Sequence, residues 1–332
     1  MSINTASSID VHAHAVLEGT MGAAGKYGPE IGSDGEGKPW FRIGDFRLDG
    51  VRYRGGPFMD VGLRLTRMRE VGIEFQVLSP NPLTYFHFIE AKAAVPFCQR
   101  HNDELAEIVG AHPERLAALA ALPMQDPGAA CEELDRAVRE LGMLGAYIGA
   151  ELPDPLDSPE LDSFYARLCE LDVPLFIHPA PAGIDGPVGD KRLKKFDLEM
   201  LLGFAGQETL TIATLIIGGV MSRHPSLDVC VSHGGGSIAI LAERLADASR
   251  RRPWSPSYVR EDGAFEAFLS RFWLDNHIHD KRALELLEAM VGPEHIVLGT
   301  NFAGWDQPKH VQPEDAATRR MADNARRLLR VA

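Results

Sequence analysis

Leu227-Asp228-Val229-Cys230-Val231-Ser232-His233-Gly234-Gly235-Gly236-Ser237 runs from an apolar, β-branched stretch into a histidine, then a glycine turn, and opens an alanine-rich amphipathic segment over residues 237–252. A short apolar run of this kind suits a strand buried on both faces, and the amphipathic segment after it is the crossover helix that parallel pairing requires. Pro174-Leu175-Phe176-Ile177-His178 closes on a histidine in the same way. Working outward, comparable runs recur at residues 9–11, 75–79, 116–122, 145–149, 174–178, 227–233, 271–275 and 295–299. Helical patterns fill the gaps, at residues 61–71, 91–112, 128–141, 159–171, 207–223, 237–252, 281–290 and 313–330. Eight strand and helix pairs predict an α/β fold, a (β/α)8 TIM barrel, with a doubly wound sheet as the alternative.

Two segments fall outside this repeat. Residues 17–59, rich in Gly, Pro, Trp and Phe, follow the first strand and are expected to form a lid-like insertion over the barrel mouth, within a single domain spanning residues 1–332. Residues 179–204 follow the fifth strand and carry Lys191, Arg192, Lys194 and Lys195.

Composition narrows the function. With 45% apolar residues the chain can bury a core, so disordered and fibrous classes are excluded. Its 47 acidic against 34 basic residues, a net charge of -13, argue against a nucleic-acid surface, and any anionic substrate must be met by locally placed arginines. Cys98, Cys131, Cys169 and Cys230 lie too far apart for a zinc knuckle or a disulfide scaffold. The N-terminus is polar, and the longest apolar stretch, residues 212–221, is far short of a bilayer span. A cytoplasmic location, with no membrane partner, is the expectation.

The strongest chemical signal is Asp10-Val11-His12-Ala13-His14 at the end of the first strand. Side chains of a strand alternate with period two, so His12 and His14 point the same way and can grip one ion. His178 and His233 also end strands, and in a barrel every such end opens on the catalytic face. Four convergent imidazoles point to a metal site. After the eighth strand, Gly299-Thr300-Asn301-Phe302-Ala303-Gly304-Trp305-Asp306 places Asn301 where a carboxylate ligand is usual. An amide oxygen is a weak ligand and carries no proton near neutral pH. Asp306 is the nearest carboxylate able to substitute, or else a solvated loop residue. Arg52 and Arg244 are candidates for clamping a substrate carboxylate, with a surface ion pair as the other reading. The glycines after His233 permit close approach to a ligand, and the helix that follows favours anions at its start. His277 and His279 share a face after the seventh strand and could line the pocket, with solvation the expected reading. His87 is expected to pack beside Tyr85, Phe86 and Phe88, and Cys230 to be a buried, inert thiol.

Together these motifs resemble the amidohydrolase-related metal-dependent decarboxylases, and above all their 2-amino-3-carboxymuconate 6-semialdehyde decarboxylase branch. The likeness also covers Arg67-Met68, Gly72-Ile73, residues 174–179, Leu193-Lys194-Lys195, residues 232–237 and Pro256-Ser257-Tyr258-Val259. It implies a (β/α)8 barrel with one divalent ion, commonly zinc and sometimes manganese, held by His12, His14 and His178. It implies that His233 is the catalytic histidine that activates water or relays a proton. Arg52 matches the arginine that binds the substrate carboxylate, and Arg244 a second arginine donated by a neighbouring subunit, so the resemblance implies a homodimer. Relatives carry Asp where this chain has Asn301; the change argues more against hydrolysis than against decarboxylation. The activity implied is non-oxidative decarboxylation of a small carboxylic acid, a ring-cleavage semialdehyde or a hydroxylated aromatic acid. Hydration or hydrolysis of a related acid on the same site is the second reading, and a metal-free binding protein the third.

Overall fold

A computed structural model describes residues 2–181 and 190–331; of the segment expected after the fifth strand, residues 182–189 therefore lie outside the described residues. In chain order the strands are β1 (Ile9–Ala15), β2 (Glu30–Ser33), β3 (Pro39–Ile43), β4 (Phe46–Asp49), β5 (Phe75–Pro80), β6 (Leu116–Ala118), β7 (Ala120–Ala121), β8 (Ala146–Gly149), β9 (Leu175–His178), β10 (Val229–Val231), β11 (Trp273–Asp275) and β12 (Ile296–Val297). The helices are α1 (Val61–Val71), α2 (Ala91–Ala111), α3 (Pro127–Arg139), α4 (Asp162–Leu171), α5 (Phe204–Ile217), α6 (Val220–Arg223), α7 (Ile238–Arg251), α8 (Ala264–Leu269), α9 (Lys281–Val291) and α10 (Ala316–Leu328). Capping sets several starts: Asp60, Asp126 and Asp280 each accept a backbone N–H of the first turn of α1, α3 and α9, and Pro127 sits where a helix needs no donor.

All eight expected strands are present, and every pairing between them is parallel. The third is split. β6 pairs with β5 and β7 with β8, and Leu119 between them keeps the ring continuous by donating to the Leu78 carbonyl at 2.9 Å. The ring closes where Asp10 bridges Leu298, with Val11 N–H donating to the Leu298 carbonyl at 2.9 Å. Val11, Val77, Leu119, Tyr147, Phe176, Cys230, Trp273 and Val297 form a buried apolar cluster along the strands. Ala13, Leu78, Ile148, Ile177, Val231, Leu274 and Leu298 instead pack outward against helical residues such as Leu134, Phe164, Ile212 and Leu287.

The insertion after β1 carries a separate antiparallel sheet, β2-β3-β4. Its buried Phe41 and Ile43, with Tyr53 behind, pack on Leu83, Phe86, Ile89 and Phe97, so it is anchored to the connection after β5 and to α2. The apolar stretch expected at residues 212–221 is longer in the fold: Glu199–Ile217 is continuously helical, long and apolar enough by length and composition to cross a membrane, with only 28% of it buried. Leu210 is 67% exposed, and Ile240 on the neighbouring α7 is 76% exposed.

Candidate metal centre and active site

A β-bulge interrupts the register of β1 against β5 between Asp10 and Ala13, and beyond it His12 and His14 share one face while Ala13 and Ala15 pack outward. His178 ends β9, one strand pairing away from Gly149. The three imidazoles meet edge to face, with ring centroids 5.0, 4.9 and 4.6 Å apart. Each has its Nδ1 engaged: His12 with Asp275 Oδ2 at 2.7 Å, His14 with the Pro80 carbonyl at 3.0 Å, His178 with the Pro179 carbonyl at 2.6 Å. Those acceptors hold the proton on Nδ1 and turn the Nε2 lone pairs inward. His14 Nε2 and His178 Nε2 stand 3.3 Å apart, and His12 Nε2 is buried with no hydrogen-bond partner. Two neutral, inward-facing nitrogens at that distance repel, and a buried orphan nitrogen costs free energy unless something fills the gap. Nitrogens bound at about 2.0–2.1 Å to a tetrahedral ion stand about 3.3 Å apart, so this donor set fits a divalent metal. Burial pushes the pKa of all three down, that of His12 to about 4, so they are neutral ligands at pH 7 without prior loss of a proton.

Two buried carboxylates brace the centre. Asp10 accepts His12 N–H at 3.1 Å, Gln76 Nε2 at 2.9 Å, Thr300 N–H at 3.0 Å and Thr300 Oγ1 at 2.7 Å. Gln76 in turn accepts from the buried Arg64 guanidinium, which also donates to the His14 carbonyl. Asp275 holds His12 through one oxygen, and through the other accepts Gly234 N–H at 3.1 Å and His277 N–H at 3.0 Å. Burial opposes its charge, yet the hydrogen bond from His12 and the surrounding imidazoles keep it well below the usual carboxylate range.

His233 completes the group, its ring 4.9 Å from His12 and 5.0 Å from His178. It differs from the others in its partner. His233 Nδ1 lies 2.6 Å from Oε1 of Glu208, a fully buried carboxylate on α5 that also accepts from Ser232 Oγ at 2.7 Å. Burial works against the imidazolium, but the Glu208 charge outweighs it and lifts His233 to about 9. The centre thus sets three imidazoles whose pKa burial lowers beside a fourth whose pKa the Glu208 carboxylate raises. The glycines after His233 serve packing. Gly234, Gly235 and Gly236 all adopt positive φ, and a Cβ would meet Ile278, Ile212 and the Ala205 carbonyl, the last at 2.2 Å.

Asn301 follows β12 at positive φ, and its Nδ2 donates to Asp306 Oδ1 at 2.7 Å. Asp306 Oδ2 accepts from His277 Nε2 at 3.0 Å, and His277 flanks His12 and His233, with ring centroids 5.8 and 5.6 Å away. Asp306 is thus joined to the centre through His277. It is not a solvated loop residue: its side chain is 9% exposed. His277 is buried as well, against the expectation of solvation, because Asp275 and Asp306 satisfy its backbone and ring; His279 is exposed, as expected. Arg52 and Arg244 are both exposed, and no hydrogen bond, ion pair or ring contact joins either to the histidines among the described residues. His87 is buried and stacks on Tyr85, and Cys230 is a buried thiol with its pKa pushed up.

Two functional residues escaped the sequence reading. Asp275 ends the seventh strand, the same position that singled out His178 and His233. Glu208 is the one charged residue of α5, and such an isolated charge signals a buried partner. Phe204, whose ring lies 6.0 Å from His178 and 6.2 Å from His233, and Tyr147, 5.9 Å from His14, add aromatic walls.

The chain is similar to known proteins. The chain is 32% identical over 244 residues to the 2-amino-3-carboxymuconate-6-semialdehyde decarboxylase of Dictyostelium discoideum, covering 73% of this chain and 66% of that protein. It is 30% identical over 260 residues to the gamma-resorcylate decarboxylase of Rhodococcus jostii strain RHA1, covering 72% of this chain and 76% of the relative. In structure it matches a dihydroxybenzoic acid decarboxylase of Polaromonas sp. JS666, solved with bound manganese and the inhibitor 2-nitroresorcinol, at a TM-score of 0.72 and 22% identity, over 98% of this chain and 97% of the other. The amidohydrolase family model spans residues 9–331. With its closed parallel barrel and histidine centre, the chain belongs to the amidohydrolase family.

Proposed function

We infer that this chain is a carbon-carbon lyase that removes CO2 from a small carboxylated aromatic or muconate-type acid with a divalent metal ion. The observation that carries this reading is the convergence of three buried imidazoles, each with its Nδ1 engaged and its Nε2 turned inward, beside a fourth, His233, held by the buried Glu208. The identities of the relatives support it. A divalent ion bound by His12, His14 and His178, with or without Asn301, supplies Lewis-acid polarisation of a substrate oxygen. Phe204 and Tyr147 offer faces to a ring. When the C–C bond to the carboxylate breaks, its electron pair stays on the ring carbon, and His233 supplies the proton that replaces CO2; Glu208 stabilises the imidazolium until then and solvent restores the proton afterwards. Asp306 acts on this chemistry by orienting His277.

Zinc is the ion we propose, because imidazole nitrogen is a donor that zinc favours; the manganese of the Polaromonas relative makes that ion the competitor. Arg52 and Arg244 are the proposed carboxylate clamp, Arg244 reaching a neighbouring subunit's site. The exposed Leu210 and Ile240 near Arg244 support a homodimer that covers this face. The insertion after β1 is the proposed lid, and the cytoplasm the proposed compartment. The test is CO2 release by purified protein of measured metal content, over a panel of hydroxylated benzoates and carboxylated muconate semialdehydes. Metal-dependent CO2 release is the expected result. No CO2 from metal-loaded protein would overturn the reading, and substrate loss with a mass gain of one water would replace it with a hydratase.

A further inference from the structure

The end of the seventh barrel strand repeats the end of the first. Asp10-Val11-His12-Ala13-His14 and Asp275-Asn276-His277-Ile278-His279 are both Asp-x-His-x-His. The local backbone repeats too: Asp10 Oδ1 accepts His12 N–H at 3.1 Å, and Asp275 Oδ1 accepts His277 N–H at 3.0 Å. The first copy gives both imidazoles to the three-histidine centre. The second copy stands beside that centre: its Asp275 braces His12, while its two imidazoles lie outside the three-histidine set.

In the second copy, His277 Nε2 and His279 Nε2 converge on one oxygen, Asp306 Oδ2, at 3.0 and 3.5 Å. All three donor atoms lie within 4.8 Å of one another, as do those of His12, His14 and His178. These separations bracket the roughly 3.3 Å expected between ligands of one tetrahedral ion. The carboxylate is also aimed: Asn301 Nδ2 takes Oδ1, which leaves Oδ2 for the two imidazoles. A hydrogen bond to His277 explains the placement of that ring alone. It does not explain why His279, whose side chain is 69% exposed and could turn to water, stacks on Trp305 with its Nε2 3.5 Å from the same oxygen.

We propose that His277, His279 and Asp306 form a second divalent-cation site at the barrel mouth, separate from the three-histidine centre. The donor set is two imidazoles and a carboxylate, which suits zinc or manganese and leaves coordination positions open on the exposed side. An ion there presents a second positive charge to an acidic substrate, in a chain whose net charge of -13 otherwise repels it. Asn301 then has a stated use, since its amide orients the carboxylate of this site.

The test is metal stoichiometry, which needs no substrate. Untagged full-length protein is stripped with a chelator, dialysed to equilibrium against the same fixed concentration of Mn2+ or Zn2+, and analysed by plasma mass spectrometry alongside His279→Ala, Asp306→Ala and His178→Ala. His279 is exposed, so its loss leaves the core intact. The expected result is one equivalent fewer in His279→Ala and in Asp306→Ala than in the parent protein, whatever the parent total. His178→Ala reads the three-histidine centre independently, so failure of one site is distinguishable from failure of the other. Parent-level metal in either His279→Ala or Asp306→Ala would overturn the proposal.

Discussion

Asp275 braces the proposed metal centre on two sides. It fixes the His12 tautomer through one oxygen and, through the other, pins the backbone at Gly234 and His277, so a single side chain sets the approach of three histidines. Carboxylates that orient a ligating histidine are worth about 10–100-fold in metal affinity. Asp275→Asn, which keeps the shape but loses the charge, is therefore expected to weaken binding at the three-histidine centre by about that factor, as read by competition with a chromophoric chelator. At this scale the sequence was legible where a residue type announces its chemistry. His12, His14, His178 and His233 could be picked out because imidazoles at strand ends have few other uses, whereas Glu208 and Asp275 act through a partner that no spacing reveals. Asp306 was visible as a carboxylate, but its bond to Asn301 depends on a loop whose path only the fold determines.

The elements were legible because each strand is a short apolar run and each helix keeps its amphipathic period. The split of the third strand at Leu119 was not, since Leu116 to Leu122 is one unbroken apolar run and the division arises from which neighbour each half pairs with. The glycine turn between β10 and α7 was recognised, but its packing was not. Gly234, Gly235 and Gly236 all adopt positive φ and let α7 start against Ala205 and Ile278. Gly236→Ala is expected to destabilise the fold by about 2–4 kcal/mol, combining the left-handed strain with displacement of the Ala205 carbonyl, and urea denaturation at fixed metal concentration measures it.

For the whole molecule, acid should act through buried histidines that have no metal to bind. His87 and His101 are both buried, and burial lowers each to about 4. Unfolded, they take up protons near pH 6.5, so between pH 6.5 and 4 the unfolded chain binds more protons and stability falls as the pH falls. Each contributes up to ~1.4 kcal/mol per pH unit in that window. The loss between pH 7 and 5 should therefore be smaller in His101→Leu than in the parent chain, compared by denaturant midpoints. The seam that closes the barrel has a different consequence, which concerns time. Asp10 receives Thr300 across 290 positions of sequence, and Val11 pairs with Leu298. At about 5–20 residues per second, a ribosome needs roughly 15–60 s to travel from one side of that seam to the other. For all of that interval β1, with two of the three clustered histidines on it, has an open edge on the nascent chain. The ring closes only once residue 298 has been made, and a chain stalled between residues 178 and 298 carries His12, His14 and His178 but lacks the strand that closes the ring around them.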